Sequence, residues 1–577
     1  MAKIHNLKIK NFRGIKELDH TFGLANFICL VGRGDSGKTT ILEAIEQALY
    51  PNWNTSVSDN DFFNGDTSTP IEIEITLREI DDKLLSDNKY GSHIRGLDVD
   101  GKTIHNEITD DQQEKLITVL FKVEKDLEPK WFVTSHRPHQ EDIRIDTSDR
   151  ASFNVFLLSD YLDKHFSWSK GTPLSALLKQ DGSVSDNSLL LDAVRNLKTG
   201  IDSVGFPHLD KVIDKVKSST LRFGVDINNT KTSIDIKDLA IKDSKVILHD
   251  DLVPLRLKGK GSKRLISVAI QTELAKNGIL LVDEIEQGLE PDRVKHLVRT
   301  LCCNTNEQTF LTTHSQQVVE ELEPENIFIV NEDNGTITIN QTDKDESDKY
   351  KKLFRACPEA LYADSVIVCE GKTELGFCRA IDKQRVILNT PSMAMKGVVY
   401  TVGVGDGFNK KAETLKKDLG KKVCIFCDSD KDSEICSPTK TEMEALGIGI
   451  FDCESGNNLE KQISKDLPWN GIKELCAYVA QDKNISTDFI TYVKASTGLD
   501  FIDSDTPANR DIFFKASTYK KEKTTAEGAK KIEDKSWFKR IDHGEVLGDI
   551  CIKYKDQLPE GSKLKELISG IDSWVGI

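Results

Sequence analysis

Apolar and polar residues alternate with a period of two in the opening stretch "HNLKIKNFRGI", where Leu7 and Ile9 are interleaved with Lys8 and Lys10. That pattern predicts a half-buried strand. "FICLV" (27–31) reads as a strand buried on both faces, and a glycine-rich turn follows it. In "TTILEAIEQALY", Ile41, Ile45 and Leu49 recur at i+4 spacing and predict a helix. "IEIEITL" (71–77) is another alternating strand. From about 84 to 240, helical and strand patterns mix without a chemical signature, and this stretch is expected to be an inserted helical arm for dimerisation. Strand signals return at "GILLVDE" (278–284) and "QTFLTTHS" (308–315). The polar run "QTDKDESDKYKK" (341–352) predicts an exposed connection. Beyond it, "SVIVCEG", "GVVYTVG" and "KKVCIFCD" are short strands separated by helix-compatible stretches, a βαβαβ pattern that predicts a parallel sheet.

A chain of 577 residues exceeds what one hydrophobic core organises, so several domains are expected. The net charge of −16 argues against indiscriminate coating of nucleic acid, but it leaves room for local basic surfaces. "RLKGKGSKR" (256–264) holds five Lys/Arg and no acid, and residues 515–540 hold nine Lys/Arg against four acids. The twelve cysteines are mostly scattered singly and read as reduced thiols. No apolar run reaches the roughly 18 residues of a membrane span, and the N-terminus lacks a signal-peptide core, so the cytoplasm is the expected compartment and no membrane partner is expected.

"GRGDSGKT" (32–39) fits G-x-x-x-x-G-K-[ST] between a predicted strand and a predicted helix, the context this phosphate-binding motif needs. Gly32, Gly34, Asp35, Ser36 and Gly37 form the loop whose backbone N–H groups wrap phosphates at a helix N-terminus. Lys38 is expected to reach the β/γ-phosphates of ATP and Thr39 to coordinate Mg²⁺, with Thr40 completing the nucleotide-binding set. Downstream, "ILLVDEIEQGLEP" delivers Asp283 and Glu284 from the end of an apolar strand. Asp283 is expected to hold Mg²⁺ and Glu284 to polarise the attacking water. His314 in "TTHS" ends the next strand, where an imidazole can sense the γ-phosphate; a lone histidine is otherwise an ordinary structural residue.

A second set of acids lies further on. "VIVCEGKTE" puts Glu370 at a strand end and Glu374 four residues later, and "CIFCDSDKD" puts Asp428 and Asp430 at the end of a neighbouring strand. Parallel sheets bind ligands at the carboxyl ends of their strands. Carboxylates gathered there repel one another unless a divalent cation neutralises them. Cys424 and Cys427 do not make a zinc site, because Cys436 and Cys453 supply no second pair and the two would point to opposite strand faces. Taken alone, "DSDKD" is an ordinary solvated turn. With Glu370 and Glu374 one βα unit earlier, it reads as a metal-bearing strand end.

The run "LKIKNFRGI…VGRGDSGKTTILEAI", followed by "VDEIEQGLEP" and "LTTHS", resembles the ABC-type ATPases of the RecF/SMC group. "KGKGSKRLISVAI" lies where that group carries its signature loop, but it is not L-S-G-G-Q, so which of Gly259, Gly261 and Ser262 meets nucleotide stays open. Gly34–Asp35 also stands where the group often has Asn-Gly. E-G-K-T-E, then "VGVGDG", then D-x-D resembles the Toprim domain, and the combination of the two resembles the OLD (overcoming lysogenisation defect) endonucleases. The fold class so implied is α/β: an ABC-type ATPase domain with an inserted helical arm (1–345, arm about 84–240), a Toprim parallel-sheet domain (346–470) and a helical, lysine-rich C-terminal region (471–577).

The resemblance implies an ATPase-regulated, Mg²⁺-dependent DNA endonuclease, with Mn²⁺ as a substitute metal. It makes Glu370, Glu374, Asp428 and Asp430 metal ligands, Asp432 and Glu460 further ones, and Lys539 (with Lys535 as rival) the lysine beside the scissile phosphate. It also implies a homodimer or higher oligomer and a role in bacterial anti-phage defence. Some effectors of the family work with a retron reverse transcriptase and its msDNA, so such a partner is among the expectations. The alternative reading is a RecF/SMC-like DNA-repair clamp with a non-cleaving Toprim scaffold.

Overall fold

The alternating N-terminal stretch forms β1 (Lys3–Phe12), which turns back as β2 (Ile15–Thr21). "FICLV" is β3 (Phe27–Val31), buried throughout, and the turn after it leads into α1 (Lys38–Leu49). The protein is described here by a computed structural model covering residues 2–576 except 50, 52–54, 159–161, 168–171, 181–195, 197–198, 201–247, 276–277, 304–306, 343, 404–406, 430–438, 483–503, 518–519, 525–529 and 535–537.

β4 (Ile71–Arg78) pairs antiparallel with β1. The sheet continues through β5 (Arg95–Leu97), β6 (Ile104–His105), β7 (Glu114–Val123), β8 (Pro129–Thr134) and β9 (Ile143–Arg144), all antiparallel. This departs from the helical arm expected from residue 84 onward. In β7, Ile117, Val119, Phe121 and Val123 are buried on one face, and as far as residue 158 the regular structure of the insertion is mostly strand. Most of the remainder, to residue 240, lies outside the described residues.

β10 (Val155–Leu158) begins the other edge of the same sheet. A short hairpin, β11 (His249–Asp250) and β12 (Val253–Pro254), precedes α2 (Lys260–Ala275). β13 (Ile279–Val282), β14 (Gln308–Thr313), β15 (Ile327–Asp333) and β16 (Thr336–Gln341) complete the described sheet. Its order is β10-β13-β14-β3-β15-β16-β2-β1-β4-β7-β5-β6, and the run from β10 to β15 is parallel. The phosphate loop leaves β3 at the carboxyl edge of this run, where Asp283, Glu284 and His314 also emerge.

The later part of the 341–352 run, expected as exposed connection, enters a helix (Ser347–Ala356) instead, because Tyr350, Leu353 and Phe354 give it a buried face. A second described sheet follows: β17 (Ser365–Cys369), β18 (Val398–Val402), β19 (Lys422–Cys427) and β20 (Gly449–Asp452). All pairs are parallel, in the order β18-β17-β19-β20. The chain reverses its direction of growth between β18 and β19, so the β17/β19 crevice is a topological switch point, the customary ligand position in such sheets.

Both faces of this small sheet are covered. Val366, Val368, Val423 and Ile425 join an apolar cluster that contains Val31, Val282, Leu311 and Ile329 of the large sheet. Ile367, Cys369, Cys424 and Phe426 pack with the C-terminal helices. α3 (Lys372–Ile387) follows β17, α4 (Leu459–Asp466) follows β20, and α5 (Ile541–Lys553) lies along α3. The C-terminal region is helical as expected, and its lysine-rich segment adds a hairpin of β21 (Lys520–Thr524) and β22 (Lys530–Asp534). Among the described residues, no helix is long and apolar enough to cross a membrane.

α3 and α5 approach closely because glycine lines their seam. A Cβ on Gly376 would lie 2.6 Å from Glu545 N, one on Gly544 2.9 Å from Thr373 Cα, and one on Gly548 2.6 Å from Ala380 Cβ. A side chain at Gly544 meets backbone that cannot rotate away. Gly544→Ala is therefore expected to destabilise the protein by about 1–3 kcal/mol, read as a lowered melting temperature. Gly14→Ala, at a glycine with nothing within 4 Å, is the control. Equal melting of the two variants would refute the seam.

Candidate functional site

The phosphate loop folds as its sequence requires. Asp35 (φ 62°) and Gly37 (φ 88°) occupy the left-handed region, and a Cβ at Gly32 would collide with the Val330 carbonyl and lie 2.9 Å from Ser36 Oγ. The Lys38 ammonium donates to the carbonyls of Gly32 (2.9 Å) and Arg33 (2.6 Å) and to Ser36 Oγ (3.3 Å). Burial lowers its pKa to about 8, against the opposing pull of Asp283, Glu284 and Asp35. Thr39 Oγ1 lies 3.0 Å and 3.2 Å from the two carboxylate oxygens of Asp283. The two residues read as Mg²⁺ partners thus meet at one point.

Thr312, which the sequence reading passed over, organises this edge. Its hydroxyl donates to Asp283 Oδ1 (2.6 Å) and accepts from the Glu284 N–H (2.8 Å). Glu286 accepts from Thr313 Oγ1 (2.7 Å) and from the His314 N–H (2.6 Å), which fixes the turn bearing His314. The imidazole pKa is lowered, first by burial and next by the Lys38 charge. Gly261 and Ser262 lie in the first turn of α2 rather than in a loop before it. A Cβ on Gly261 would be 2.7 Å from the Gly288 carbonyl, so this region leans on the "EQGLEP" turn, while Ser262 is exposed.

The acids of the small sheet also converge. Glu370 follows β17, Glu374 lies in the first turn of α3, Asp428 follows β19 and Glu460 lies in the first turn of α4. Glu370 Oε2 accepts from the Asp428 N–H at 2.9 Å, and Asp428 Oδ1 accepts from the Leu459 N–H at 2.7 Å. Lys539 reaches the cluster from the C-terminal region and pairs with Glu460 Oε1 at 2.7 Å. The chain before α5 is anchored there by Thr373 Oγ1 donating to the Phe538 carbonyl at 2.5 Å. Glu374 and Glu460 are 5% and 4% exposed.

Burial, then the charges of Glu374, Glu460 and Glu370, push the Asp428 carboxyl up to about 8. Burial, then Glu460 and Glu370, push Glu374 to about 7, with Lys539 opposing. Burial alone would lower Lys539, but Glu460, Asp428 and Glu374 carry it above its ordinary value. Glu370 and Asp428 also line a cavity of about 590 Å³ whose rim includes Asp452, Lys440 and Lys563. Asp430, Asp432 and the rival Lys535 lie outside the described residues. Among the described residues, no three His, Cys, Asp or Glu side chains are drawn close enough to form a ready metal cage. The donor set is nevertheless the kind a hard divalent cation takes: four carboxylates within electrostatic reach of one another, two of them pushed well above the usual carboxylate range by burial and then by the neighbouring acids.

Arg33, Tyr362 and Lys421 join the amino ends of the small sheet to the phosphate-loop edge. Arg33, inside the loop, forms an ion pair with Asp364 and donates to the Met395 carbonyl at 3.1 Å. The Tyr362 hydroxyl donates to the Ser315 carbonyl at 3.1 Å. Lys421 donates to Asn331 Oδ1 at 3.0 Å, and its pKa is lowered to about 8 by burial.

The raised carboxyl values set a sign for stability. An Asp at about 8 in the fold and near 3.9 unfolded binds more protons when folded, so its contribution is present at low pH and lost as pH rises through about 8. With a chelator present, wild-type melting temperature is expected to fall between pH 6 and pH 8.5 more steeply than that of Asp428→Asn. Parallel pH curves would contradict the assigned environment.

Residues 2–319 match the AAA ATPase domain model. The chain is 25% identical to the endonuclease GajA of Bacillus cereus over 509 residues, covering 81% of each protein. It is 25% identical to an OLD nuclease of Thermus scotoductus over 412 residues, 64% of this chain and 71% of that one. Among solved structures, an Smc head domain with an extended coiled coil from Pyrococcus furiosus aligns with 62% of this chain and all of its own, at 16% identity and a TM-score of 0.36. The family match spans more than half of the 577 residues, so the protein belongs to the AAA ATPase domain family, and its kinship with the OLD-family nucleases extends over most of the chain.

Proposed function

We propose that this protein is a Mg²⁺-dependent DNA endonuclease governed by its own ATPase domain. The observation that carries the reading is the convergence of Glu370, Glu374, Asp428 and Glu460 with Lys539 at the switch point of the small parallel sheet. The domains proposed are an ATPase (1–345), a Toprim-type catalytic domain (346–470) and a C-terminal region (471–577) that supplies Lys539. The nuclease names of the relatives agree with a nucleic-acid substrate.

Glu370, Glu374, Asp428 and Glu460 would hold Mg²⁺, or Mn²⁺ in its place, with Asp430 and Asp432 as further ligands. When bound, the metal supplies activation of a water and stabilisation of the leaving 3′-oxygen. Lys539 places positive charge beside the scissile phosphate and offsets the charge that builds up there. The hydrogen bonds from the Asp428 and Leu459 N–H groups orient Glu370 and Asp428 before substrate arrives. In the ATPase, Lys38 would meet the β/γ-phosphates, Thr39 and Asp283 would hold the nucleotide's Mg²⁺, Glu284 would polarise water and His314 would sense the γ-phosphate. Gly261 or Ser262 would meet nucleotide held by a second copy, which makes a homodimer or higher oligomer the working state. We place the activity in bacterial anti-phage defence in the cytoplasm, with a reverse transcriptase and its msDNA as the candidate partner.

Nicking of supercoiled plasmid in Mg²⁺ tests the reading. Glu370→Ala and Asp428→Ala should each lose at least about 100-fold in nicking while ATP turnover stays close to wild type. Lys38→Ala and Glu284→Gln should instead reduce phosphate release, the latter by about 100-fold or more. Wild-type nicking by both acid variants would remove the chemistry from these acids, and no nicking by the wild-type protein would hand the function to the non-cleaving DNA-repair clamp.

A further inference from the structure

Arg264 lies in the second turn of α2 and is only 1% exposed, although it carries a guanidinium. Its Nη2 donates to the main-chain carbonyls of two consecutive residues, Asp283 and Glu284, the latter at 3.0 Å. Those are the two acids of the nucleotide site. Glu284 sits in the left-handed region at φ 45°, a conformation that a residue with a side chain seldom adopts unless its surroundings impose it. Its N–H is held by Thr312 Oγ1 at 2.8 Å, and the next N–H, of Ile285, donates to the Thr312 carbonyl at 3.2 Å. Arg264 holds the carbonyls of this bend from α2, and Thr312 holds its N–H groups from β14.

We propose that Arg264 is a positioning residue for ATP hydrolysis. By bonding both carbonyls it locks the left-handed turn at Glu284 and so aims the carboxylate at the water to be activated. An arginine suits this task because its planar fork presents several donors in fixed directions, whereas a lysine offers one mobile ammonium. The residue also ties the aim of Glu284 to α2. The first turn of that helix, at Gly261, abuts Gly288 four residues beyond Glu284, so a shift of the helix start moves both ends of the acidic turn together. The inference rests on the reading of Glu284 as the water-polarising group.

The test uses the full-length protein with Arg264→Lys, Arg264→Met and, as reference, Glu284→Gln. Steady-state ATP hydrolysis gives kcat and KM, binding of a fluorescent ATP analogue gives nucleotide affinity, and thermal melting reports the fold. The expected result is a kcat lowered by roughly 10- to 100-fold, the cost of a misaimed catalytic group, with KM and analogue affinity within about threefold of wild type. Arg264→Lys, which keeps the charge and the fold, should show the same split as Arg264→Met. Glu284→Gln inactive while both Arg264 variants turn over ATP at the wild-type kcat would overturn the inference alone. A loss of analogue affinity and melting temperature in step with kcat, in both variants, would overturn it in favour of a purely structural role. Glu284→Gln hydrolysing ATP normally would overturn the underlying reading, and this inference with it.

Discussion

A four-stranded parallel sheet must bury both of its faces, and the way this one does so determines where everything else sits. One face shares an apolar cluster with the strands that bear the phosphate loop, and the other is closed by the C-terminal helices. The amino ends of its strands are thereby pressed against the nucleotide edge, where Arg33 meets Asp364 and Lys421 meets Asn331. Its carboxyl ends gather the acids. β17 runs from Ser365 to Cys369, so the two chemistries are separated by five residues of strand, about 16 Å at strand rise.

The two sites solve opposite electrostatic problems. The loop proposed for nucleotide presents N–H groups and an ammonium, and Lys38 there donates to loop carbonyls and is held by burial with a lowered pKa. The acid site is a buried surplus of carboxylates that Lys539 only partly offsets, and burial followed by the neighbouring acids pushes Asp428 up to about 8 and Glu374 to about 7. A cluster so arranged gives up stability near neutral pH unless a cation enters, a cost that a purely structural crossing of strands would not retain.

Much of this was legible in the sequence because strand ends are. Glu370, Asp428 and Asp283 each close a short apolar run whose unbroken hydrophobicity gives their location, and His314 follows the β-branched and apolar strand signal of "TFLTT". Residues that arrive by packing left a weaker trace. Glu460 stands in the first turn of a helix in an otherwise ordinary polar stretch, and Lys539 owes its position to Gly376, Gly544 and Gly548, whose spacing on two distant helices acquires meaning only when they interlock. Arg33 and Asp364 are 331 positions apart, and no local pattern pairs them. The stretch after residue 84 mixes helical and strand signals, and even β7 is buried without a break from Leu116 to Phe121, so no single period marks it as strand.

The central claim is that the acids at the carboxyl edge of the small sheet form a metal centre independent of the nucleotide's. Titration of Mn²⁺ into nucleotide-free protein, followed by calorimetry or by the loss of the free-ion EPR signal, addresses it most directly. The account predicts saturable binding in the wild type that persists in Lys38→Ala and is lost or sharply weakened in Asp428→Asn and Glu460→Gln. Binding of equal stoichiometry and affinity in the wild type and both acid variants would contradict it.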